Sequence, residues 1–380
     1  MLQLGAADLG SLLALELWRT EVRLQRRTPA AHGAHDVLEK LYVRIVCTSG
    51  EGWGEVAALA TPVGVDPSLG AVAQALEGRW SERLFVSARA RGGRCPESSA
   101  LGLLGASSVL DHVTAASLEM AVLDAELRSV SRSLAEHLEA TGPSVRFGGL
   151  VGLPDDGRVA DSVAWAASLL EGGATRLRVK IDEHHPVLAV LALREAFPDV
   201  ALHADANGAF DPRSLELLRP LDELGLVCIE QPLAGRDLAA MASAAASFTT
   251  PWCLDEAITS RRQARDAVRY GAAQALCIKP GRVGGLRTVL GIGSDAAASS
   301  VPAFIGGLFE TGLGRAALGA LSARPEYSLV SDVGAPVTYL EEDPCELAGP
   351  SGGLQPLWDG PGVGPWPRRS ALSPVFSRRF

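Results

Sequence analysis

The chain has 380 residues, of which 47% are hydrophobic and 21% charged, and its formal net charge is −9. At about 150 residues per domain, this length predicts two or three domains with a large apolar core. The negative charge argues against a nucleic-acid-binding protein, which usually carries a basic patch. The N-terminal segment lacks the basic region of a signal peptide, and no apolar run reaches the roughly 18 residues that span a bilayer. We therefore expect a cytoplasmic protein with no membrane partner.

Residues 1–142 are predicted to form a small α+β domain. The strand predictions depend on runs rich in apolar and β-branched residues, separated by turn residues. The helix prediction depends on apolar residues that recur at every third or fourth position. The predicted elements are strands at 13–25, 40–49 and 52–59, a loop at 26–36 and a helix at 115–140.

Residues 143–330 show short apolar runs that alternate with helical stretches. This alternation implies crossover connections and a parallel sheet. Seven or eight such units close most naturally into a barrel. We therefore predict an α/β fold, a (β/α)7β TIM-like barrel with an N-terminal α+β capping domain; an open doubly wound sheet is the alternative. The predicted strands lie at 145–153, 176–181, 200–205, 226–230, 252–255, 275–279 and 303–305, with a further candidate at 327–330, and the helices lie near 159–171, 186–196, 211–219, 238–247, 261–270, 284–298 and 313–323.

The C-terminal segment, residues 331–380, is rich in Pro and Gly and predicts irregular structure. Such a stretch is either a disordered tail or an extended segment that packs on a surface. Trp358 and Trp366 favour packing, because a large indole ring contributes most when it is buried. We expect the segment to pack back on the capping domain.

Five consecutive strands of the predicted barrel end in a charged residue. The spacing between these residues is 25, 25, 25 and 24 positions, which is about the length of one strand–helix unit. The five side chains should therefore lie at one level in the C-terminal mouth of the barrel, where this fold builds active sites. A buried network of lysine–carboxylate ion pairs is the alternative. In chain order the residues are Lys180, Asp205, Glu230, Asp255 and Lys279.

The apolar layer beneath these charges is predicted from the residues two positions earlier, because side chains at i and i+2 of a strand share a face. Cys228, Cys253 and Cys277 hold that position before the last three charged residues. His203 holds it before Asp205. Small thiols would fill the interior of the barrel just below the charged ring.

The three carboxylates repel one another and need a cation, and oxygen ligands suit a hard divalent ion such as magnesium. Near a cation, and removed from water, a lysine's pKa falls towards neutrality, so that it can act as a base. We therefore predict that Lys180 or Lys279 removes the α-proton of a small-molecule carboxylate substrate. The metal and the other ammonium group would stabilise the resulting enediolate.

The strand-end motifs resemble those of the muconate-lactonising subgroup of the enolase superfamily. Within that subgroup the chain is most similar to o-succinylbenzoate synthases, in the branch that includes N-succinylamino acid racemases. The resemblance implies a lyase that dehydrates a cyclohexadiene carboxylate to o-succinylbenzoate in menaquinone biosynthesis. N-succinylamino acid racemase or cycloisomerase activity is the alternative. The motifs are "RVKI", "ADANGAF", "CIEQPL", "CLDEAI", "IKPGRVGGL", residues 305–321 and, upstream, "GWGE" and residues 118–128.

The resemblance also implies a role for each matching residue. Asp205, Glu230 and Asp255 would bind magnesium. Lys180 would remove the proton, and Lys279 would stabilise the enediolate or act as acid or base on the opposite face in racemisation. A homo-oligomer is expected, because members of the family are often oligomers. Further residues of the substrate site or its surroundings would be Asn207, Arg178, Arg282, Gly306 and Gly307.

Some positions depart from the family's pattern. Arg178 stands where lysine is usual, and it keeps the positive charge. Arg282 fits the branch that contains the racemases, whereas Leu318 replaces a usual asparagine. The 26–36 loop is expected to close over the substrate and to help set specificity, but its residues His32 and His35 have no counterpart in the pattern.

Overall fold

A computed structural model describes residues 7–30, 33–101, 105–153 and 158–380. Its N-terminal part is built on an antiparallel sheet whose strand order is β13-β1-β2-β3. The outer strand β13 comes from the end of the chain, so the C-terminal segment completes the N-terminal sheet. The strands are β1 (Leu12–Ala30), β2 (Gly33–Cys47), β3 (Gly50–Glu55) and β13 (Ser373–Arg379).

The helices of the N-terminal part cover one face of this sheet. Gly52 and Gly54 of β3 lie against the helix backbone, where a side chain would collide with Ala121 or Ser117. The predicted helix over 115–140 is in fact two helices, because Ser133 starts a second one with a capping box. The helices are α1 (Leu69–Ala75), a π-helical turn (Leu76–Trp80), α2 (Ser81–Ala90), α3 (Ser98–Leu101), α4 (Val109–Ser129) and α5 (Leu134–His137).

The hairpin between β1 and β2 is longer than the sequence predicts. Backbone pairing joins Thr28 to His35 and Ala30 to Gly33, so the prediction of a loop over 26–36 is wrong for most of that segment. The pairing register shifts between Arg23 and Thr28, where the two-stranded ribbon continues beyond the sheet. His32 and the side chain of His35 lie outside the described part of the chain.

Seven parallel strands curl into the predicted barrel, and neighbouring strands in space are neighbours in sequence. The α/β prediction is confirmed, and the doubly wound alternative is wrong. The strands are β5 (Gly148–Val151), β6 (Arg176–Lys180), β7 (Ala201–Asp205), β8 (Ile229–Glu230), β9 (Trp252–Leu254), β10 (Ala275–Ile278) and β11 (Ala303–Ile305). The helices are α6 (Val159–Glu171), α7 (Leu188–Ala196), α8 (Leu238–Ala245), α9 (Arg261–Arg269), α10 (Pro280–Val283), α11 (Leu286–Ala298) and α12 (Gly312–Ser322).

An extended segment at 329–332 bridges the first and last strands of the barrel. The Leu329 N–H donates to the Ala303 carbonyl at 3.1 Å on one side. The Gly148 N–H donates to the Ser331 carbonyl at 3.0 Å on the other. The further strand predicted at 327–330 therefore lies about two residues later, as a short closing segment.

One predicted helix, at 211–219, is a 3-10 helix over Leu215–Glu223 with Pro220 inside it. Proline lacks the N–H that a regular α-helix needs at that position, which accounts for the tighter and irregular turn. Within the described residues, no helix combines the length and the apolar character needed to cross a membrane.

The C-terminal segment is packed, as its tryptophans suggest. The indole Nε1 of Trp366 donates to the buried carboxylate of Asp124 at 2.6 Å, and the Arg128 guanidinium lies 4.2 Å from the centre of the Trp366 ring. The strand β12 (Gln355–Pro356) pairs with β4 (Ser144–Val145), just before the barrel begins. The disordered-tail alternative is therefore wrong.

Candidate active site

The strand register brings the predicted charged residues to one level of the barrel. Lys180 is the register partner of Asp205, and Asp205 is the partner of Glu230. Asp255 and Lys279 directly follow the next two strands. All five side chains are buried. The strands therefore place five ionisable groups in one buried volume that holds little water, where their interactions are strong.

Lys180 forms one side of the site. Its Nζ lies 2.7 Å from Asp205 Oδ2 and also contacts Asn207 Oδ1. Asn207 has a left-handed backbone conformation, with φ of +46°, which asparagine tolerates better than most residues. Its Nδ2 donates to Glu256 Oε1 at 2.9 Å. The amine of Lys180 is thus held in place by two oxygen acceptors.

Lys279 forms the other side, with its Nζ 2.8 Å from Asp255 Oδ2. Burial alone would lower the pKa of Lys279, but the Asp255 carboxylate outweighs burial and holds this pKa above its ordinary value. The predicted fall of a lysine pKa towards neutrality applies to a lysine beside a bound cation, and for Lys279 it stays a prediction. The ammonium form of Lys279 is the one that these charges favour.

Arg282 connects this side of the site to the N-terminal part. It contacts Asp255 Oδ1 through one guanidinium nitrogen. Two others lie 2.8 and 2.6 Å from the oxygens of Asp66. This two-point pairing is the geometry that makes guanidinium–carboxylate bonds strong. A residue outside the barrel therefore orients the arginine that touches Asp255.

Arg178 lies among the carboxylates. Its Nε is 2.8 Å from Asp205 Oδ2, and a second nitrogen contacts Glu230 Oε1. A third lies 2.5 Å from Asp332, the last residue of the closing segment. Asp332 also contacts Arg176. The Arg178 guanidinium thus supplies positive charge between two predicted metal ligands.

These cations do not fully neutralise the negative charge of the buried carboxylates. Burial raises the pKa of Glu230 to about 8; Arg178 opposes this effect, and repulsion from Asp205 and Asp255 adds to it. Burial and the neighbouring Asp255 raise the pKa of Glu256 to about 7. In contrast, nearby cations overcome burial and hold the pKa values of Asp205 and Asp255 below their ordinary range. An added cation would relieve this repulsion.

The donor atoms suit a hard divalent cation. Ligand atoms of Glu230, Asp255 and Cys277 all lie within 4.8 Å of one another, whereas Asp205 is outside this group. Glu256 Oε2 is buried and has no hydrogen-bond partner among the described residues. Carboxylate oxygens are the ligands that magnesium prefers. The buried carboxylates of Glu230, Asp255 and Glu256 therefore fit the metal, whereas the Cys277 thiol, whose pKa is raised by burial, is not a ligand that a hard cation prefers.

The cysteine layer lies beneath the charges as predicted. Cys228, Cys253 and Cys277 form a buried cluster with Phe304. His203 meets the Phe304 ring edge to face, with ring centres 5.4 Å apart, and its Nε2 lies 2.6 Å from Glu230 Oε2. This layer supports the floor of the site.

Gly306 and Gly307 leave room beside Lys279. A Cβ atom at Gly306 would lie 2.6 Å from Cys277 Sγ and 3.3 Å from Lys279 Cε. A Cβ atom at Gly307 would approach Leu318 to 3.0 Å and the Glu310 carboxylate more closely. Both positions therefore require glycine for the side chains around them to keep their places.

A cavity of about 480 Å³ opens above the site, a volume within the usual range for small-molecule pockets. Lys180 and Lys279 both line it. The sequence analysis did not identify Glu256 as a site residue, although it follows Asp255 directly. It also did not identify Asp332, which no local sequence pattern marks. The other lining residues include Arg178, Asn207, Arg282, Gly307, Gln25, Arg26, Phe147, Trp165, Phe309 and Tyr339.

The site has the features of a barrel enzyme, because two lysines face buried carboxylates at the mouth of a parallel barrel. Residues 161–370 match the family described as enolase C-terminal domain-like. The chain belongs to the enolase superfamily.

Relatives match along most of the chain. It is 36% identical to an N-succinylamino acid racemase from Amycolatopsis, covering 97% of this chain and 98% of the relative. It is 32% identical to the o-succinylbenzoate synthase of Bacillus subtilis, covering 80% of each. A crystal structure of an enolase superfamily member from Listeria innocua superimposes with a TM-score of 0.87 at 26% identity, covering 97% of this chain and 98% of that one.

Proposed function

We propose that this enzyme removes a proton from the carbon next to a substrate carboxylate in a magnesium-dependent reaction. The reaction we favour is that of an o-succinylbenzoate synthase, a dehydration that serves menaquinone biosynthesis. The observation that carries the proposal is the pair of lysines, each held by a carboxylate, that line one cavity. Asp205, Glu230 and Asp255 are the proposed magnesium ligands.

A bound magnesium ion would supply positive charge for the substrate carboxylate. Lys180 is the proposed base, as the family resemblance implies, and Asp205 and Asn207 position its Nζ at the cavity wall. Lys279, kept as an ammonium ion by Asp255, would face the negative charge that develops on the substrate. Burial strengthens this interaction, because little water competes for the ammonium group.

Racemisation of an N-succinylamino acid is the second candidate. It requires Lys279 to give and take a proton on the opposite face of the substrate, whereas dehydration needs one base. The observations that favour it are the presence of both lysines in one cavity and the 36% identity to a racemase over nearly the whole chain. Both candidates share the proton-removal step.

Incubation with magnesium in deuterated water tests these proposals. Formation of o-succinylbenzoate from the cyclohexadiene precursor would support the synthase. Loss of optical activity and α-deuterium incorporation in an N-succinylamino acid would support the racemase. If the wild-type protein does neither, the proposed function is wrong. Chelation of the metal should stop either reaction, and added magnesium should restore it.

A further inference from the structure

His203 joins a buried arginine to one of the proposed metal ligands. It lies on β7, two positions before Asp205, so the two side chains share the inner face of the strand. Its imidazole ring is completely buried. One ring nitrogen, Nδ1, lies 2.7 Å from Arg176 Nη1, and the other, Nε2, lies 2.6 Å from Glu230 Oε2. The ring therefore bridges a cation and a carboxylate.

The arginine end of this bridge is anchored. Arg176 is buried, and its second terminal nitrogen contacts the Asp332 carboxylate in the closing segment. Its guanidinium carbon lies 4.9 Å from the centre of the Phe304 ring, and the same ring meets His203 edge to face. The imidazole ring is thus held by a hydrogen bond on one edge and by an aromatic contact on its side.

The chemistry of the arginine fixes the position of the imidazole proton. A guanidinium group carries hydrogen on every nitrogen and has no acceptor, so His203 Nδ1 must accept its hydrogen bond. With Nδ1 unprotonated, the one N–H of the imidazole lies on Nε2. That proton faces Glu230 Oε2, and neither Nε2 nor Oε2 makes a hydrogen bond with any other described residue. Only a proton between these two atoms makes so short a contact favourable.

Glu230 then has a donor at each of its oxygens. Arg178 contacts Oε1, and the Nε2–H group of His203 faces Oε2. Two donors at fixed positions set the plane of the carboxylate, and each carboxylate oxygen keeps a further lone pair for a metal ion. Loss of a hydrogen bond that orients a metal ligand typically weakens metal binding about 10- to 100-fold.

We infer that His203 is a positioning residue that orients Glu230 for the divalent cation through its Nε2–H group. The inference deepens the proposed function and rests on it, because Glu230 is a metal ligand in that proposal. Packing alone, the role predicted for the layer beneath the charges, requires no hydrogen-bond donor at this position. The two roles therefore predict different results when the donor is removed and the volume is kept.

Manganese binding to the wild type and two variants tests this inference. Mn²⁺ accepts the same oxygen ligands as magnesium, and electron paramagnetic resonance measures the free ion without any turnover. His203→Met keeps most of the side-chain volume but has no donor, so it should bind Mn²⁺ about 10- to 100-fold more weakly than the wild type. His203→Gln carries an N–H group at the end of a side chain of similar length, so it should bind within about threefold of the wild type.

Phe304→Leu is the control for packing, because it removes the ring against His203 and leaves the imidazole in place. It should bind Mn²⁺ within about threefold of the wild type, because it removes no hydrogen bond to a metal ligand. Wild-type affinity in His203→Met would overturn the inference. A loss in His203→Gln or Phe304→Leu as large as that in His203→Met would also overturn it.

The imidazole proton can be located in the wild type, so the inference is tested even if His203→Met does not fold. Nuclear magnetic resonance of protein with isotope-labelled histidine distinguishes a ring protonated at Nε2 from one protonated at Nδ1. The signals of His203 are those missing from the spectrum of His203→Gln. We expect the proton on Nε2, and a proton on Nδ1 would refute the role of His203 as the donor to Glu230.

Activity assays on the same proteins separate this inference from the proposed function. A wild type that binds Mn²⁺ but catalyses neither proposed reaction contradicts the proposed function, and weaker binding by His203→Met alone would still support the role of His203. An active wild type, together with unchanged Mn²⁺ affinity in His203→Met, refutes the inference alone. A wild type that binds no divalent cation refutes both.

Discussion

Replacement of Glu119 by glutamine should change how the stability of this enzyme depends on pH. Glu119 lies on α4 and is buried against the barrel, where it accepts the Leu286 N–H at 2.7 Å at the start of α11. Gly285, with φ of +103°, lies directly against its carboxylate. Burial raises the pKa of Glu119 to about 7, although the backbone N–H groups of α11 oppose that rise.

The size of the effect follows from the pKa in the two states. The ordinary value of 4.5 applies to the unfolded chain. Between pH 4.5 and about 7 the folded protein keeps a proton that the unfolded chain has released, so the free energy of unfolding falls as the pH rises. Across this interval the free energy of unfolding falls by about 3 kcal/mol in total. The stability is fully present below pH 4.5 and is lost by about pH 7.

Urea denaturation of the wild type and Glu119→Gln at pH 5, 6, 7 and 8 measures this effect. Glutamine does not titrate, so the variant should gain about 2 kcal/mol relative to the wild type between pH 5 and pH 8, because part of the interval lies below pH 5. The exposed Glu171→Gln serves as the control and should show no such trend. Parallel pH curves for the wild type and Glu119→Gln would refute the reasoning.

Three further predictions concern the site and the C-terminal segment. Lys180→Ala should reduce turnover about 10²- to 10⁴-fold while calorimetry still detects magnesium binding; unchanged turnover would remove Lys180 as the base. Gly306→Ala should lower turnover at least about tenfold, because the new methyl group displaces Lys279 or Cys277, and wild-type rates would contradict this crowding. Asp124→Ala should lower the free energy of unfolding by about 3 kcal/mol in urea, because it leaves Trp366 and Arg128 without their shared acceptor; a loss below about 1 kcal/mol would contradict this role.

The barrel and the level of its charged residues could be predicted from the sequence because both depend on local rules. Side chains two apart on a strand share a face, and strand–helix units of nearly equal length repeat the same position. These rules predicted which residues end the strands, from Lys180 to Lys279. They also predicted the cysteine layer beneath the charges.

Only the tertiary structure decided which residues form ion pairs with these side chains. Arg282 bonds to Asp66, 216 positions away, and Arg178 bonds to Asp332, 154 positions away. The 26–36 segment became a paired ribbon that brings Arg26 to Trp165, against the prediction of a loop. Such contacts join residues that no local periodicity relates. They depend on how the N-terminal sheet, the C-terminal segment and the barrel pack together, and this packing also sets the burial that shifts the pKa values of Glu119, Glu230 and Glu256.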